Sequence, residues 1–389
     1  MARYRRETRY GAEELEQLRQ ALEQQTLFYA QGQKVAELER AFAARHGTKH
    51  AIATSSGTAA IHCAMIATGI SPGDEVIVSP ITDMGSIVPI LWQGGIPVFA
   101  DLEPHTYNLS PQSVEKCISE NTRAVLAVHL AGNACDLNAL KSICDRRGID
   151  LIEDCAQAHG CMYNGKSVGT VGRIGCFSYN EFKHISCGDG GVCITDDDDL
   201  AHRLRLASDK CYDRSPGAVD RSAFFLAANY RMTELQAAVA IAQLAKLDSI
   251  VARRRAWCGQ LHERLSDVKG LHRPQITSGC EHSWWFYLLR VDVDADAFAN
   301  KLKAEGVPCA AHYIGKPIQD YPLFQNHSAF ARGQHPFSRR DYLKESTPIA
   351  KQILETCVII HVNEGYTQED LDFTVAAVAR GVGASPAQF

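Results

Sequence analysis

The sequence has 14 cysteines but no C-x-x-C pair. That removes the zinc-ribbon and thioredoxin-like readings, and no metal site is expected. The cysteines are irregularly spaced and several, such as Cys63, Cys176 and Cys193, sit in apolar stretches. They read as reduced, buried thiols of a cytoplasmic protein. No run of about 18 apolar residues stands out, so no membrane-crossing helix is expected. The charged start, MARYRRETRYGAEELEQL, lacks the apolar core of a secretion signal. With a net charge of −5 and a pI near 6.3, the chain lacks the basic excess that nucleic acid or an anionic membrane would demand of a partner. Internal repeats and low-complexity tracts are missing as well.

What is there is a chain of 389 residues, a length that suggests two domains. Strand-like and helix-like segments alternate from about residue 35 to 245. Continuous apolar runs at 49–54, 74–80, 96–102, 124–130 and 150–155 are separated by helical patterns. This order argues for an α/β protein with a mostly parallel sheet covered on both faces. A long helical pattern follows Asn229 and leads into a smaller α+β piece. In that piece 284–293 reads as a strand, 295–306 as a helix, 314–345 as a loop and 367–382 as a final helix.

Four segments carry candidate chemistry. Ser55-Ser56-Gly57-Thr58 lies between a strand and a helix, where free N–H groups and the helix dipole favour a phosphate; an N-cap without a ligand explains it equally well in isolation. Residues 152–160, IEDCAQAHG, end an apolar strand, where ligands bind in open α/β sheets. Asp154 there could hold a cationic ring nitrogen, although a turn aspartate is the blander reading. In 175–191 a lysine, Lys183, stands between an apolar strand and a Gly-rich turn. Such a lysine can have a lowered pKa and act as a Schiff-base amine, with Ser178 placed to bind phosphate. Asn229 to Gln236 opens the long helix, and capping alone would account for it.

Taken together, SSGTAAIHCAM, PGDEVIVSP, IEDCAQAHG, FSYNEFKHISCGDGG and NYRMTELQAA, in this order and spacing, closely resemble the sugar aminotransferases of the DegT/StrS type, over residues 30 to 375. The resemblance implies a fold-type I pyridoxal-phosphate enzyme: an N-terminal helical segment (1–30), a large cofactor-binding domain (31–250) with a mostly parallel seven-stranded sheet, and a small C-terminal α+β domain (251–389). It implies that Lys183 carries pyridoxal 5'-phosphate as a Schiff base and moves protons, that Asp154 pairs with the pyridine nitrogen, and that Gln157 sits near the ring oxygen. Gly57, Thr58 and Ser178 would hold the phosphate, and Asn229 would reach it from the second subunit of a homodimer with shared sites. A related keto-sugar 3-dehydratase has histidine at the lysine position. Counting back from Gly188-Asp189-Gly190-Gly191 places Lys183 there, with His184 as a structural neighbour.

The resemblance has one departure. The family carries an aromatic residue after the threonine of its P-x-T segment, where the ring stacks on the cofactor; this chain reads Pro80-Ile81-Thr82-Asp83. A carboxylate cannot stack, so another residue must cover the ring, and Met84 is one candidate. The family implies transfer of an amino group from glutamate or glutamine to a keto-sugar, nucleotide-linked, or to a keto-cyclitol. Candidate substrate contacts are Asp83, His312, Tyr313 and Lys316. His129, at the end of 124–130, is either near the cofactor or a core residue. Asp83 motivates one alternative, other chemistry on the same cofactor (dehydration, oxidation or decarboxylation); a non-catalytic regulatory relative is the other.

Overall fold

A computed structural model describes residues 3–215, 217–218 and 222–383; the outermost ends of the expected N- and C-terminal segments lie outside the described residues. The strands of the first half are β1 (His50–Thr54), β2 (Glu75–Val78), β3 (Ile96–Phe99), β4 (Thr122–Val128), β5 (Asp150–Asp154), the short β6 (Met162–Tyr163) and β7 (Lys166–Ser167), β8 (Ile174–Ser178) and β9 (Gly191–Thr195). Seven of them form one sheet in the order β1-β9-β8-β5-β4-β2-β3. Only β9 runs against its neighbours β1 and β8; the β8, β5, β4, β2 and β3 pairs are parallel. The mostly parallel seven-stranded sheet is therefore as expected.

Helices α1 (Ala12–Glu23), α2 (Lys34–His46), α3 (Gly57–Ala67), α4 (Met84–Trp92), α5 (Pro111–Cys117), α6 (Leu137–Arg147), α7 (Asp198–Ser208) and α8 (Glu234–Arg264) accompany these strands. Two apolar layers result, because strands buried on both faces need cover on both. One layer joins Phe42, Ile77, Val125, Phe177 and Leu247; the other joins Ile61, Met65, Val78, Leu126 and Ile152. Several helix starts follow from local chemistry. Ser56, Asp83, Asp136, Asp197 and Thr233 each accept an N–H of the first turn, which satisfies otherwise orphaned donors. By length and composition alone α8 could cross a membrane. It is instead a core helix, packed on α1 and α2 with Ala237, Leu244, Leu247, Val251 and Leu261 buried.

Beyond α8 lie β10 (Leu271–His272), β11 (Cys280–Glu281), β12 (Phe286–Val291), α9 (Ala295–Ala304), β13 (Cys309–Ala311), α10 (Pro322–Gln325), α11 (Pro348–Thr356), β14 (Cys357–His361) and α12 (Gln368–Gly381). A four-stranded sheet runs β10-β12-β14-β13. The segment 314–345 is mostly irregular but carries α10 and two short 3-10 turns. Sequence reading passed over α11 and β14. A five-residue apolar run such as Cys357–His361 has no periodicity that separates a strand from a buried loop.

One buried knot ties β4 to β5. His129 follows β4, and its Nε2–H donates to Glu153 Oε2 at 3.0 Å. The Cys135 N–H donates to Nδ1 at 3.1 Å, so the ring carries its single proton on Nε2. Glu153 also accepts the N–H groups of Gly169, Val171 and Gly172 at 2.6, 2.8 and 2.6 Å. Burial raises the Glu153 carboxyl, but His129 and these N–H groups outweigh it and hold the carboxyl below its ordinary range. His129, Glu153 and Cys155 bring ligand-type atoms within 4.8 Å of one another, yet both Glu153 oxygens are already spoken for by hydrogen bonds. His129 is thus a core residue. Glu153→Ala should destabilise the fold by about 3–5 kcal/mol, read by urea denaturation, because it strands a buried histidine and three amides. Since the folded pKa is lowered, the carboxylate's contribution is present above the ordinary carboxylate range and lost as pH falls below it. Glu153→Gln should lack that acid-sensitive part of the stability curve.

Candidate active site

Thr54, Ser178 and Asp154 are the last residues of β1, β8 and β5, and all three strands point the same way. Their carboxyl ends therefore form one edge of the sheet, the place where open α/β sheets bind ligands. At that edge Ser56 caps α3, its hydroxyl oxygen accepting the Ala59 N–H at 3.0 Å. The first-turn amides of Gly57 and Thr58 are left without a partner among the described residues. Gly57 must be glycine: a Cβ there would lie 2.6 Å from Ser178 Cβ. Gly191, the first residue of β9, must be glycine for the same reason, since a Cβ would fall 2.2 Å from the Ser56 carbonyl oxygen. Against the same turn comes the start of α4. A Cβ on Gly85 would lie 2.8 Å from Thr58 Oγ1 and 3.0 Å from Asp83 Oδ1. The free amides of the α3 N-terminus and the hydroxyls of Thr58 and Ser178 thus lie together, with the start of α4 packed against them, as a cradle for an anion such as phosphate.

Beside the cradle stands Asp154, buried to 3% exposure. Its carboxylate accepts the Ser86 hydroxyl at 2.6 Å and the Ala156 N–H at 3.0 Å, and Ser86 in turn meets Thr82 at 2.7 Å. Burial pushes the Asp154 carboxyl up, and the Ser86 and Ala156 bonds and the charge of Lys183 bring it only partly back. Lys183 shows the converse. Burial lowers its ammonium pKa, while the carboxylates of Asp154 and Asp83 act in the opposite direction. Its Nζ lies 3.9 Å from the ring centroid of Trp285. An amine with a lowered pKa, next to a carboxylate short of a cationic partner, suits covalent capture of a carbonyl compound.

The other expected residues divide. The Gln157 carboxamide oxygen accepts the Ala131 N–H at 2.8 Å, and its Nε2 donates to the Tyr313 hydroxyl at 3.3 Å. Gln157 and Tyr313 are thus tied to one another, and Asp83 and Asp154 act on the Tyr313 phenol, which burial pushes up. His312 and Tyr313 are consecutive residues in left-handed backbone, φ 63° and 44°, a strained pair of the kind that clusters at functional sites. His312 itself turns away, bonded to the Leu354 carbonyl at 2.8 Å and to Asp296 at 3.1 Å. Lys316 is exposed, 6.0 Å from the Tyr321 ring. Asp83 caps α4, accepting the Gly85 N–H at 2.7 Å, and is otherwise exposed. Asn229 is exposed too, paired through its backbone with Asp209. His184 is buried and donates to the Ser283 carbonyl at 3.0 Å, as a structural neighbour should.

Sequence reading assigned no role to Ser86, Trp285 or Arg9. Ser86 follows an N-cap aspartate and could have been placed on the first turn of α4 from that signal. Arg9 and Trp285 reach the lysine turn across 174 and 103 residues of chain, and no local pattern announces such contacts.

Known proteins resemble this chain over most of its length. The profile of the DegT/DnrJ/EryC1/StrS aminotransferase family matches residues 8–379. The spore coat polysaccharide biosynthesis protein SpsC of Bacillus subtilis (strain 168) is 33% identical over 347 residues, covering 85% of this chain and 88% of that protein. The GDP-perosamine synthase of Caulobacter vibrioides is 33% identical over 358 residues, 89% and 90% of the two chains. Among solved structures, DesV of S. venezuelae, in complex with a ketimine intermediate, superposes with a TM-score of 0.85 at 29% identity, covering 96% of this chain and 95% of that one.

The charge pairing at Lys183 can be tested on the protein alone. Removing a neighbouring anion lowers an ammonium pKa further. In Asp154→Asn the pH midpoint for acetic-anhydride labelling of Lys183, read by peptide mass spectrometry, should move down by about one unit, and in Asp83→Asn by less. An unchanged midpoint in Asp154→Asn would mean that the two groups do not feel one another.

Proposed function

The chain belongs to the DegT/DnrJ/EryC1/StrS aminotransferase family and is an aminotransferase, and from that premise we propose that it works with pyridoxal 5'-phosphate on Lys183, moving an amino group from glutamate or glutamine to a keto-sugar. The observation that carries this reading is the convergence of one half-buried amine, one buried carboxylate and one anion cradle at the carboxyl edge of the sheet. The residues fit the cofactor. Asp154 is a buried acid whose hydrogen bonds among the described residues come from a hydroxyl and an amide, so a protonated ring nitrogen would offer it a directly bonded cation. Gly57, Thr58 and Ser178 would take the phosphate, and Gln157, whose oxygen is already fixed by Ala131, would approach the ring oxygen.

When bound, this cofactor acts as an electron sink for the carbon losing its proton. The chain supplies the rest. Lys183 would hold the group covalently, and once displaced its Nζ would carry the proton to and from the reacting carbon. Asp154 would keep the ring nitrogen charged, and Tyr313, through Gln157, would fix the tilt of the site. The names of the relatives favour a nucleotide-linked sugar as acceptor, since one is a GDP-perosamine synthase and another serves polysaccharide biosynthesis; a keto-cyclitol is the remaining candidate. We place Asn229 at the phosphate of a second copy, in a homodimer with shared sites. Its exposure, with Phe224 and Leu226 also exposed nearby, supports this. Asp83 lends no support to a different chemistry, because its capping of α4 explains it locally.

Borohydride reduction after incubation with pyridoxal phosphate should leave the phosphopyridoxyl group on the Lys183 peptide. L-glutamate should bleach the visible absorption of the loaded protein, and Lys183→Ala should do neither. Asp154→Asn should still load but slow the glutamate half-reaction by roughly a hundredfold or more. Absence of any label on wild-type Lys183 would refute the cofactor assignment. For the shared site, mixing inactive Lys183→Ala with inactive Asn229→Ala and letting subunits exchange should restore about a quarter of wild-type activity, because half of the dimers are then mixed and each of these carries one intact site of two. No recovery would place Asn229 outside a shared site.

A further inference from the structure

Three consecutive carbonyl oxygens of the lysine turn are each held by a side chain from a remote part of the molecule. Arg9 donates through Nη1 to the Glu181 carbonyl and through Nη2 to the Lys183 carbonyl, the latter at 2.9 Å. Between them, the Trp285 Nε1–H donates to the Phe182 carbonyl at 2.6 Å. The turn's own hydrogen bonding is sparse; the Lys183 N–H reaches the Asn180 carbonyl at 2.9 Å. An irregular turn would ordinarily leave such carbonyls to water. Here an arginine from the N-terminal segment and an indole from the edge of β12 take them instead.

Both donors are anchored in their turn. The Arg9 carbonyl accepts from Gln243 Nε2 of α8 at 2.9 Å, and the neighbouring Tyr10 hydroxyl donates to the Glu181 carboxylate at 2.5 Å. On the other side, the Trp285 N–H donates to the Ala131 carbonyl at 2.8 Å. Its carbonyl accepts from Arg254 at 3.2 Å, and that buried guanidinium pairs with Glu364 at 2.8 Å. The indole has a second use, because the Lys183 amine lies 3.9 Å from its centroid, within reach of a cation–π contact. One ring therefore fixes the turn by its edge and the amine by its face. The charged and titratable groups around this amine are Asp154 and Asp83 as anions and Arg9 at its carbonyl, with His159 and His184 both pushed down by burial and so neutral.

We propose that Arg9 and Trp285 are positioning residues for the transamination: together they clamp the 181–183 turn, and the indole face gives the Lys183 amine a defined resting place whenever it is free. The proposal rests on the reading that Lys183 carries the cofactor. The amine would leave its bond to the cofactor in the first half-reaction and return to it in the second, and an unrestrained lysine side chain would return from many rotamers.

The test uses Trp285→Leu, Trp285→Phe, Arg9→Ala and Arg9→Lys, each checked for wild-type folding by circular dichroism and thermal melting. Two quantities are measured. The first is the pH midpoint of acetic-anhydride labelling of Lys183 in protein free of pyridoxal phosphate. The second is the rate at which added pyridoxal phosphate becomes borohydride-reducible at Lys183. Trp285→Leu should lower the midpoint by about half a unit to one unit, the size of a lost cation–π contact, and Trp285→Phe, which keeps a ring face, should restore most of it. Arg9→Ala should slow capture about tenfold, with partial recovery in Arg9→Lys, which keeps one donor. Folded Trp285→Leu and Arg9→Ala proteins with an unchanged midpoint and unchanged capture would overturn the proposal. Should Trp285→Leu fail to fold, Trp285→Phe and the Arg9 pair decide it, since capture should still slow when the indole N–H or the guanidinium is lost. If even the wild type captures no pyridoxal phosphate, the cofactor reading fails, and the labelling midpoints alone decide whether the indole holds the amine.

Discussion

Burying a carboxylate and an amine at one edge of a sheet is costly unless each offsets the other, and the arrangement of Asp154 and Lys183 sets the terms for the rest of this molecule. Asp154 ends β5 and Lys183 follows β8, two strands that pair in parallel with Asp154 opposite Cys176. Neither group is fully relieved. Burial raises the acid and lowers the amine, and their mutual attraction recovers only part of that. Such residual tension is what a site of this kind can use: a cation placed against Asp154 is welcomed, and an amine that loses its proton readily is a better nucleophile.

The pair needs fixed surroundings, and these come from backbone more than from side chains. Gly57 and Gly191 allow three turns to meet at distances that a methyl group would forbid. Ser86 reaches Asp154 only because α4 begins where it does, and α4 begins there because Asp83 caps it. Below the site, Glu153 holds the backbone of 169–172 with its own hydrogen bonds, so the strand bearing Asp154 cannot shift relative to its neighbours.

How much of this was legible depended on whether the relevant signal was local. Strands such as 75–78 and 150–154 announce themselves as apolar runs, and the glycines around Lys183 mark the turn. Asp154, Gln157, Lys183, Gly57, Thr58 and Ser178 all lie in segments that could be recognised as a set, and the fold brings them to one edge. His312 looked equivalent to Tyr313 in the sequence. A backbone turn with positive φ at both residues sends one side chain to Gln157 and the other to Asp296, and residue type carries no trace of that. Arg9 and Trp285 were illegible for a different reason: their partners are main-chain carbonyls far away in the chain, which have no sequence identity to match.

Position 83 shows how one substitution can be structural and electrostatic together. An aromatic residue there could cover a bound ring but could not accept the Gly85 N–H, and losing an N-cap of this type weakens a helix start by about 1 kcal/mol. With aspartate, α4 is capped, Ser86 is held at Asp154, and an aromatic face beside the lysine comes from Trp285 instead. The exchange also leaves a carboxylate that acts on Lys183, Tyr313 and Tyr321. An anionic group brought against that corner would meet like charge, whereas a hydroxyl would meet an acceptor.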